Sequence, residues 1–315
     1  ALSLIYLIPG KTEEKREIAA PLIIETIQQP KQNVLKPVLQ LQAVIAKAPK
    51  IRHLDKRAYI DFPVNKIELR ADYRRNPAQL DSIITTINAL KADKNLQVMG
   101  INIHGFASPE GSYKHNEYLA KNRAITLTEY VRKMVDLPDS IFIVSSTAED
   151  WDGLCEYIKS SNLEKKEQLL AIAQDEKLAP DARDAKLKQQ YPTQYRTLLT
   201  LYYPALRHSD YHITYKIKPF DVEEAKEIMK TKPQQLSLNE LFMVAQTYEV
   251  GSKEFNKVME LAVRMYPTDE TANLNAAIIR LNNGDADAAK PYLDRAGDSK
   301  EADAARKAYE MMKIQ

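Results

Sequence analysis

Apolar positions along this chain recur with two different periods, and each change of period marks a predicted change of element. Gln97–His104 alternates, with Val98, Ile101 and Ile103 apolar, and predicts a strand. From Gly105 the pattern breaks into a polar loop and then resumes at helical spacing. Leu119, Leu127, Tyr130, Val131 and Met134 fall on one side of a long helix that ends near Met134. Arg123 lies in line with Leu119 and Leu127, so a cation is carried toward the apolar face and needs a partner or a ligand there. Upstream, Ala58–Phe62 (AYIDF) predicts a strand. Asn76-Pro77 opens a helix whose apolar face is Leu80, Ile83, Ile84, Ile87 and Leu90. Downstream, Ile141–Val144 and the alternating Tyr211–Ile217 predict two further strands.

The two flanks and one long interruption read differently. Residues 1–55 hold two short apolar runs, Leu4–Ile8 and Leu22–Ile27, that fit strands. A solvated charge run, Lys11–Glu17, lies between them, and Pro21, Pro30, Pro37 and Pro49 divide the segment; no motif assigns it a role. Between the last two strands, residues 149–206 are helical in pattern. Trp151, Leu154, Tyr157 and Ile158 form one face, Leu163, Leu169, Leu170 and Ile172 a second. A charged, exposed stretch follows over Asp181–Tyr195, and then the apolar Leu198–Tyr203. Residues 221–315 are helical throughout, with capping-box patterns at Asp221/Glu224 and Ser237/Glu240. The expected class is α+β: a β-α-β-α-β-(helical insertion)-β domain over 56–220, helices on a small mixed sheet, then all-α helices over 221–315. Pro291 falls inside a predicted helix and is expected to kink it.

Two motifs carry a resemblance. GFASPEGS at Gly105–Ser112, followed by N-x-x-L-A-x-x-R-A at Asn116–Ala124, resembles the signature of the OmpA-like, peptidoglycan-associating domain. Gly105, Phe106, Gly111, Ser112, Asn116, Leu119, Arg123 and Ala124 match in register. The resemblance implies a pocket that grips the diaminopimelate of a peptidoglycan stem peptide through the arginine, Arg123, and an aspartate. Asp61 matches a pocket-lining aspartate of that family, and Arg207 lies near a second arginine. At the gripping aspartate's position this chain has Ser108, which offers a neutral hydrogen bond and forgoes on the order of 1–3 kcal/mol of charge-assisted binding. Glu110 is the substitute carboxylate closest in sequence. The second motif runs through Tyr248, Gly251, Ala262, Pro267, Asn275-Ala-Ala277, Asn283-Gly284-Asp285, Ala289, Leu293 and Ala296. It resembles the tetratricopeptide repeat, which implies a protein-binding surface over helices 236–312. Two repeats are marginal alone, so the array is expected to dock on the preceding domain or to continue past Gln315. Together the motifs resemble cell-envelope proteins of Bacteroides and its relatives.

Composition narrows the chemistry. A formal charge of +2 and no basic stripe with interleaved aromatics leave no case for nucleic acid. Leu4–Ile8 is too short to span a membrane, and a chain starting at Ala1 is compatible with a signal peptide or lipid anchor already removed. The lone cysteine, Cys155, excludes an internal disulfide and is expected in the core. His53, His104, His115, His208 and His212 have no metal-ligand spacing, and Glu149-Asp150 read as helix caps rather than a catalytic pair. We therefore expect no enzyme, cofactor or metal. The expected function is non-covalent peptidoglycan binding through Asp61, Ser108, Glu110, Asn116 and Arg123 on the periplasmic side of the outer membrane, with the repeat helices taking protein partners. The alternative is a scaffold for surface or fimbrial assembly in which the pocket is vestigial.

Overall fold

A computed structural model describes residues 39–43, 49–63 and 65–314. The expected strands Leu4–Ile8 and Leu22–Ile27 lie outside the described residues. The chain divides into two compact units, one spanning Pro49–Pro219, the other containing residues 39–43 and Phe220 onward. The class is α+β, with twelve α-helices and one mixed four-stranded sheet among the described residues.

In the first unit the order is β1 (Lys50–Ala58), α1 (Asn76–Ala92), β2 (Leu96–Phe106), α2 (Tyr113–Met134), β3 (Phe142–Thr147), four insertion helices and β4 (Ser209–Ile217). The strands lie in the order β1-β4-β2-β3. The last strand is therefore central, antiparallel to β1 and β2, whereas β2 and β3 pair in parallel across the α2 crossover. Alternation sorts the two faces. Ile101 and Ile103 of β2 and Ile213 of β4 are fully buried against Leu80, Ile83 and Ile87 of α1 and Leu127 and Val131 of α2. Each such side chain contributes about 1.5–3 kcal/mol on burial. The opposite face carries His104, His212 and Thr214. Met134, expected inward, is half exposed at the last position of α2.

One expected strand is corrected. Ala58–Phe62 is not a strand: β1 occupies Lys50–Ala58, and the chain leaves the sheet after Ala58. The main chain beyond is held by side chains instead of a neighbouring strand. Tyr59 N–H donates to Gln79 Oε1 at 2.9 Å. The buried Asn76 carboxamide takes Asp61 N–H at 2.7 Å and returns a bond to Asp61 O at 2.9 Å. With its hydrogen bonds satisfied there, the segment needs no ladder.

The insertion folds around its own apolar cluster. Helices α3 (Trp151–Ser160), α4 (Lys166–Ala173), α5 (Pro180–Gln190) and α6 (Pro192–Thr197) bury Leu154, Cys155, Ile158, Leu169, Leu187, Leu198, Tyr203 and Leu206. The stretch Asp181–Tyr195 is exposed or half-buried as expected except at two residues: Leu187 is fully buried, and Tyr195 is buried with its hydroxyl on Asp184 at 2.9 Å. Charge density masked the single apolar anchor of α5, Leu187.

The second unit stacks α7 (Val222–Thr231), α8 (Leu238–Ala245), α9 (Lys253–Met265), α10 (Glu270–Asn282), α11 (Ala286–Leu293) and α12 (Lys300–Ile314), each packed on the next or the next but one. Both capping boxes form, from Asp221 with Glu224 and Ser237 with Glu240. Ala262, Ala277, Ala289 and Ala296 are buried between helices, where a small side chain permits close approach. Pro291 sits in the last turn of α11, which ends two residues later at Leu293. No helix among the described residues is long and apolar enough to cross a membrane.

Candidate functional site

The loop between β2 and α2 is shaped by two glycines. Gly111 adopts φ of +92°, a left-handed conformation that an L side chain rarely takes. Gly105 lies where α2 crosses β2: a Cβ there would sit 2.4 Å from the Ala120 carbonyl oxygen. Ser112 then caps α2, accepting from His115 N–H. These constraints set the first turns of α2, which carry Asn116 and place Arg123 beside the start of β4.

A tight cleft results, lined by Ile60, Phe62, Gly105, Phe106, Arg123, Arg207, His208 and Ser209, with a free volume of about 10 Å³. Arg123 is the half-buried cation of its wall. Its Nε donates to the Lys66 carbonyl at 3.0 Å, and its guanidinium lies 5.0 Å over the Phe62 ring. It has no carboxylate partner among the described residues. Desolvation, and then the like charge of Arg207, push its pKa down to about 10. Arg207 is itself engaged: Nε donates to the Ser108 hydroxyl at 3.0 Å and Nη2 to the Glu110 carboxylate.

Of the five residues expected at the site, three converge here. Arg123 lines the cleft, and Ser108 and Glu110 reach its edge through Arg207. Asp61 does not line it. Its carboxylate is held by Arg75, at 3.0 Å from both Nε and Nη2, and that pair keeps it below the usual carboxylate range. The side chain follows β1 out of the sheet and meets the residue that precedes α1. Asn116 is buried and committed to the protein. Its Nδ2 donates to the Glu110 carbonyl at 3.0 Å and to Glu149 Oε1 at 2.8 Å. Glu149 also accepts from the Trp151 indole at 2.8 Å. Burial raises the Glu149 pKa, while these two donated bonds oppose the rise. Glu149 is thus a tie between α2 and the insertion rather than the expected cap; Asp150 is the cap of α3.

Sequence reasoning missed the cluster built on His208, a residue of the cleft wall. His208, with a fully buried side chain, is held at both ring nitrogens, by Asp150 at 3.0 Å and Asp210 at 2.9 Å. Asp210 in turn accepts a bidentate pair from Arg57 at 2.8 and 3.0 Å. Phe106 stacks on the imidazole at 4.3 Å between ring centroids. Burial alone would lower the His208 pKa, but the bonds to the two aspartates outweigh it and hold it above its ordinary value. Burial would raise Asp210, yet His208 and Arg57 keep it well below the carboxylate range. The one legible signal was the two-residue spacing of His208, just before β4, and Asp210 on it, which in extended chain puts both to one side. The histidines on strands are satisfied locally: His53 by Thr214, His104 by Ser145 and Thr147, His212 by Asp55. Cys155 is buried in the insertion core, as expected.

No protein-family model matches the chain, and no curated protein sequence matches it.

Proposed function

We propose that the cleft at the β2–α2 loop is a carboxylate-binding site, and that the protein is an OmpA-like envelope protein which holds the peptidoglycan stem peptide there without covalent chemistry. The observation that carries this reading is Arg123: a half-buried guanidinium with no carboxylate among the described residues, and a second guanidinium, Arg207, near enough to lower its pKa. A cation so placed gains a charge-assisted, bidentate bond when a ligand carboxylate arrives. The carboxylate of diaminopimelate suits it. The ligand's ammonium falls to Glu110, once it exchanges its bond to Arg207, with Ser108 as a neutral acceptor. The helices after Phe220, with buried alanines at their crossings and Gly251 and Gly284 in left-handed turns, support a tetratricopeptide-like array that takes protein partners. The periplasmic face of the outer membrane is the location this reading implies.

The scaffold reading, with a vestigial pocket, has its own support: a free volume near that of a single water and an Arg207–Glu110 pair across the cleft edge. Sedimentation with purified sacculi separates the two. Wild type is expected to co-sediment, and Arg123→Ala to lose at least about ten-fold in affinity, one charge-assisted bidentate contact. Arg123→Ala should keep its fold, since it removes one hydrogen bond and one cation–π contact, together about 1–2 kcal/mol. Ser108→Asp is expected to strengthen binding. Wild-type binding that survives Arg123→Ala unchanged removes the carboxylate reading. Absence of binding in wild type with gain in Ser108→Asp supports the scaffold.

A further inference from the structure

We infer that helix α10 carries a main-chain-reading groove for an extended polypeptide segment with an aliphatic residue at its centre, and that residues 39–43 of this chain fill that groove in cis. This deepens the partner-binding role assigned to the repeat helices and does not depend on the carboxylate cleft.

Two asparagine carboxamides do the reading. Asn275 Oδ1 accepts Gln42 N–H at 2.6 Å, and Asn275 Nδ2 donates to Gln42 O at 2.8 Å. One register on, Asn282 Oδ1 accepts Leu39 N–H at 3.4 Å and Asn282 Nδ2 donates to Leu39 O at 3.1 Å. Each carboxamide thus takes both polar atoms of a single residue, as a neighbouring strand would. The spacings agree. Seven residues of helix rise about 10.5 Å, and three residues of extended chain rise about 10 Å. The asparagines are seven apart on α10, and the residues they hold are three apart. Asn275 is fully buried, and so is Leu41, one of the two residues between the clamped pair; Gln40, the other, is half-buried. Every hydrogen bond the asparagines make to 39–42 is to backbone, so the clamps select conformation, and we assign side-chain selection to the buried position of Leu41. Any extended segment with leucine or a similar aliphatic there meets the same terms.

The resident segment is tethered, so it faces the groove at an effective concentration on the order of millimolar and excludes a dilute competitor. Vacating it is the test. The probe is a fluorescein-labelled synthetic peptide with the sequence of residues 36–47, KPVLQLQAVIAK, followed by anisotropy against the full 315-residue chain. The peptide is expected to saturate chains carrying Leu41→Asp or Leu41→Ala, and to bind wild type at least about ten-fold more weakly. Adding Asn275→Ala with Asn282→Ala to either vacated chain is expected to weaken binding at least about ten-fold again. A peptide with aspartate in place of its central leucine is expected not to bind. Three results overturn the inference: no binding by vacated chains whose circular dichroism is intact, binding insensitive to the two asparagines, or loss of helical signal in both vacated chains. The last would make 39–43 a fixed part of the fold. Sacculus sedimentation of the same vacated chains should be unchanged, so failure here and failure of the cleft reading are told apart.

Discussion

His208→Ala is expected to lower the melting temperature of the Pro49–Pro219 unit by about 6–20 °C, the largest effect of any single substitution considered. The imidazole is fully buried and bonded at both nitrogens, to Asp150 and Asp210. Removing it leaves carboxylates in a poorly hydrated site, a loss of roughly 3–5 kcal/mol. For a unit of this size each kcal/mol moves the midpoint by roughly 2–4 °C. Asp210 keeps Arg57, and Asp150 keeps the Gly153 amide it caps, so the unit should still fold. The same cluster sets a pH dependence whose sign differs on its two limbs. His208 is held above its ordinary value, so its contribution is complete below about pH 6.5 and fades as pH rises through the folded-state value. Asp210 is held below its ordinary value, so its contribution is complete above about pH 4 and fades as pH falls through the folded-state value. Maximal support from the cluster therefore lies between about pH 4 and 6.5. Thermal melts at pH 5.5 and 8.5 check this: wild type should be more stable at the lower pH, and His208→Ala should lose most of that difference. An equal difference in both proteins would show that His208 does not titrate as its partners require.

Gly105→Ala is the second large effect, expected to cost about 1–3 kcal/mol and, on the proposed carboxylate-site reading, to abolish sacculus binding with it. The added Cβ would lie 2.4 Å from the Ala120 carbonyl oxygen and 3.0 Å from the Ala124 Cβ. Both belong to α2, and helix backbone cannot yield as a flexible side chain does, so α2 must move off the sheet. Arg123 rides on that helix one residue before Ala124, so the displacement reaches the cleft. Gly100→Ala, on the same strand, is the control: its nearest neighbours lie at 4.0 Å, and a change within about 0.5 kcal/mol is expected. A melting temperature for Gly105→Ala equal to that of Gly100→Ala would refute the close-approach argument.

Local patterns were sufficient for most elements. Alternation in Gln97–His104 and Tyr211–Ile217 found β2 and β4, and 3.6-residue spacing found α1 and α2. Asp221/Glu224 and Ser237/Glu240 announced two helix starts that form as capping boxes. These signals act between residues a few positions apart, so they can be read without the fold. The same holds for the glycine-rich loop, whose positive-φ Gly111 and tightly packed Gly105 are demands of backbone geometry.

What only the tertiary structure decided involves partners far apart in sequence. The AYIDF run has strand composition but leaves the sheet, because Asn76 and Gln79 satisfy its backbone first. The family resemblance assigns Asp61 to the pocket, yet Arg75 captures it. Arg207 matches a family arginine only loosely in sequence; its partners, Ser108 and Glu110, about a hundred residues earlier, are set by the fold. The His208 cluster joins residues from β1, the start of α3 and β4, and the α10 groove joins residues 39–42 to residues more than two hundred positions on. Hydrophobic period and capping chemistry are properties of a segment and survive in the sequence. The choice of which buried polar group satisfies which other is made by the packing of the whole chain, and it is there that the site resides.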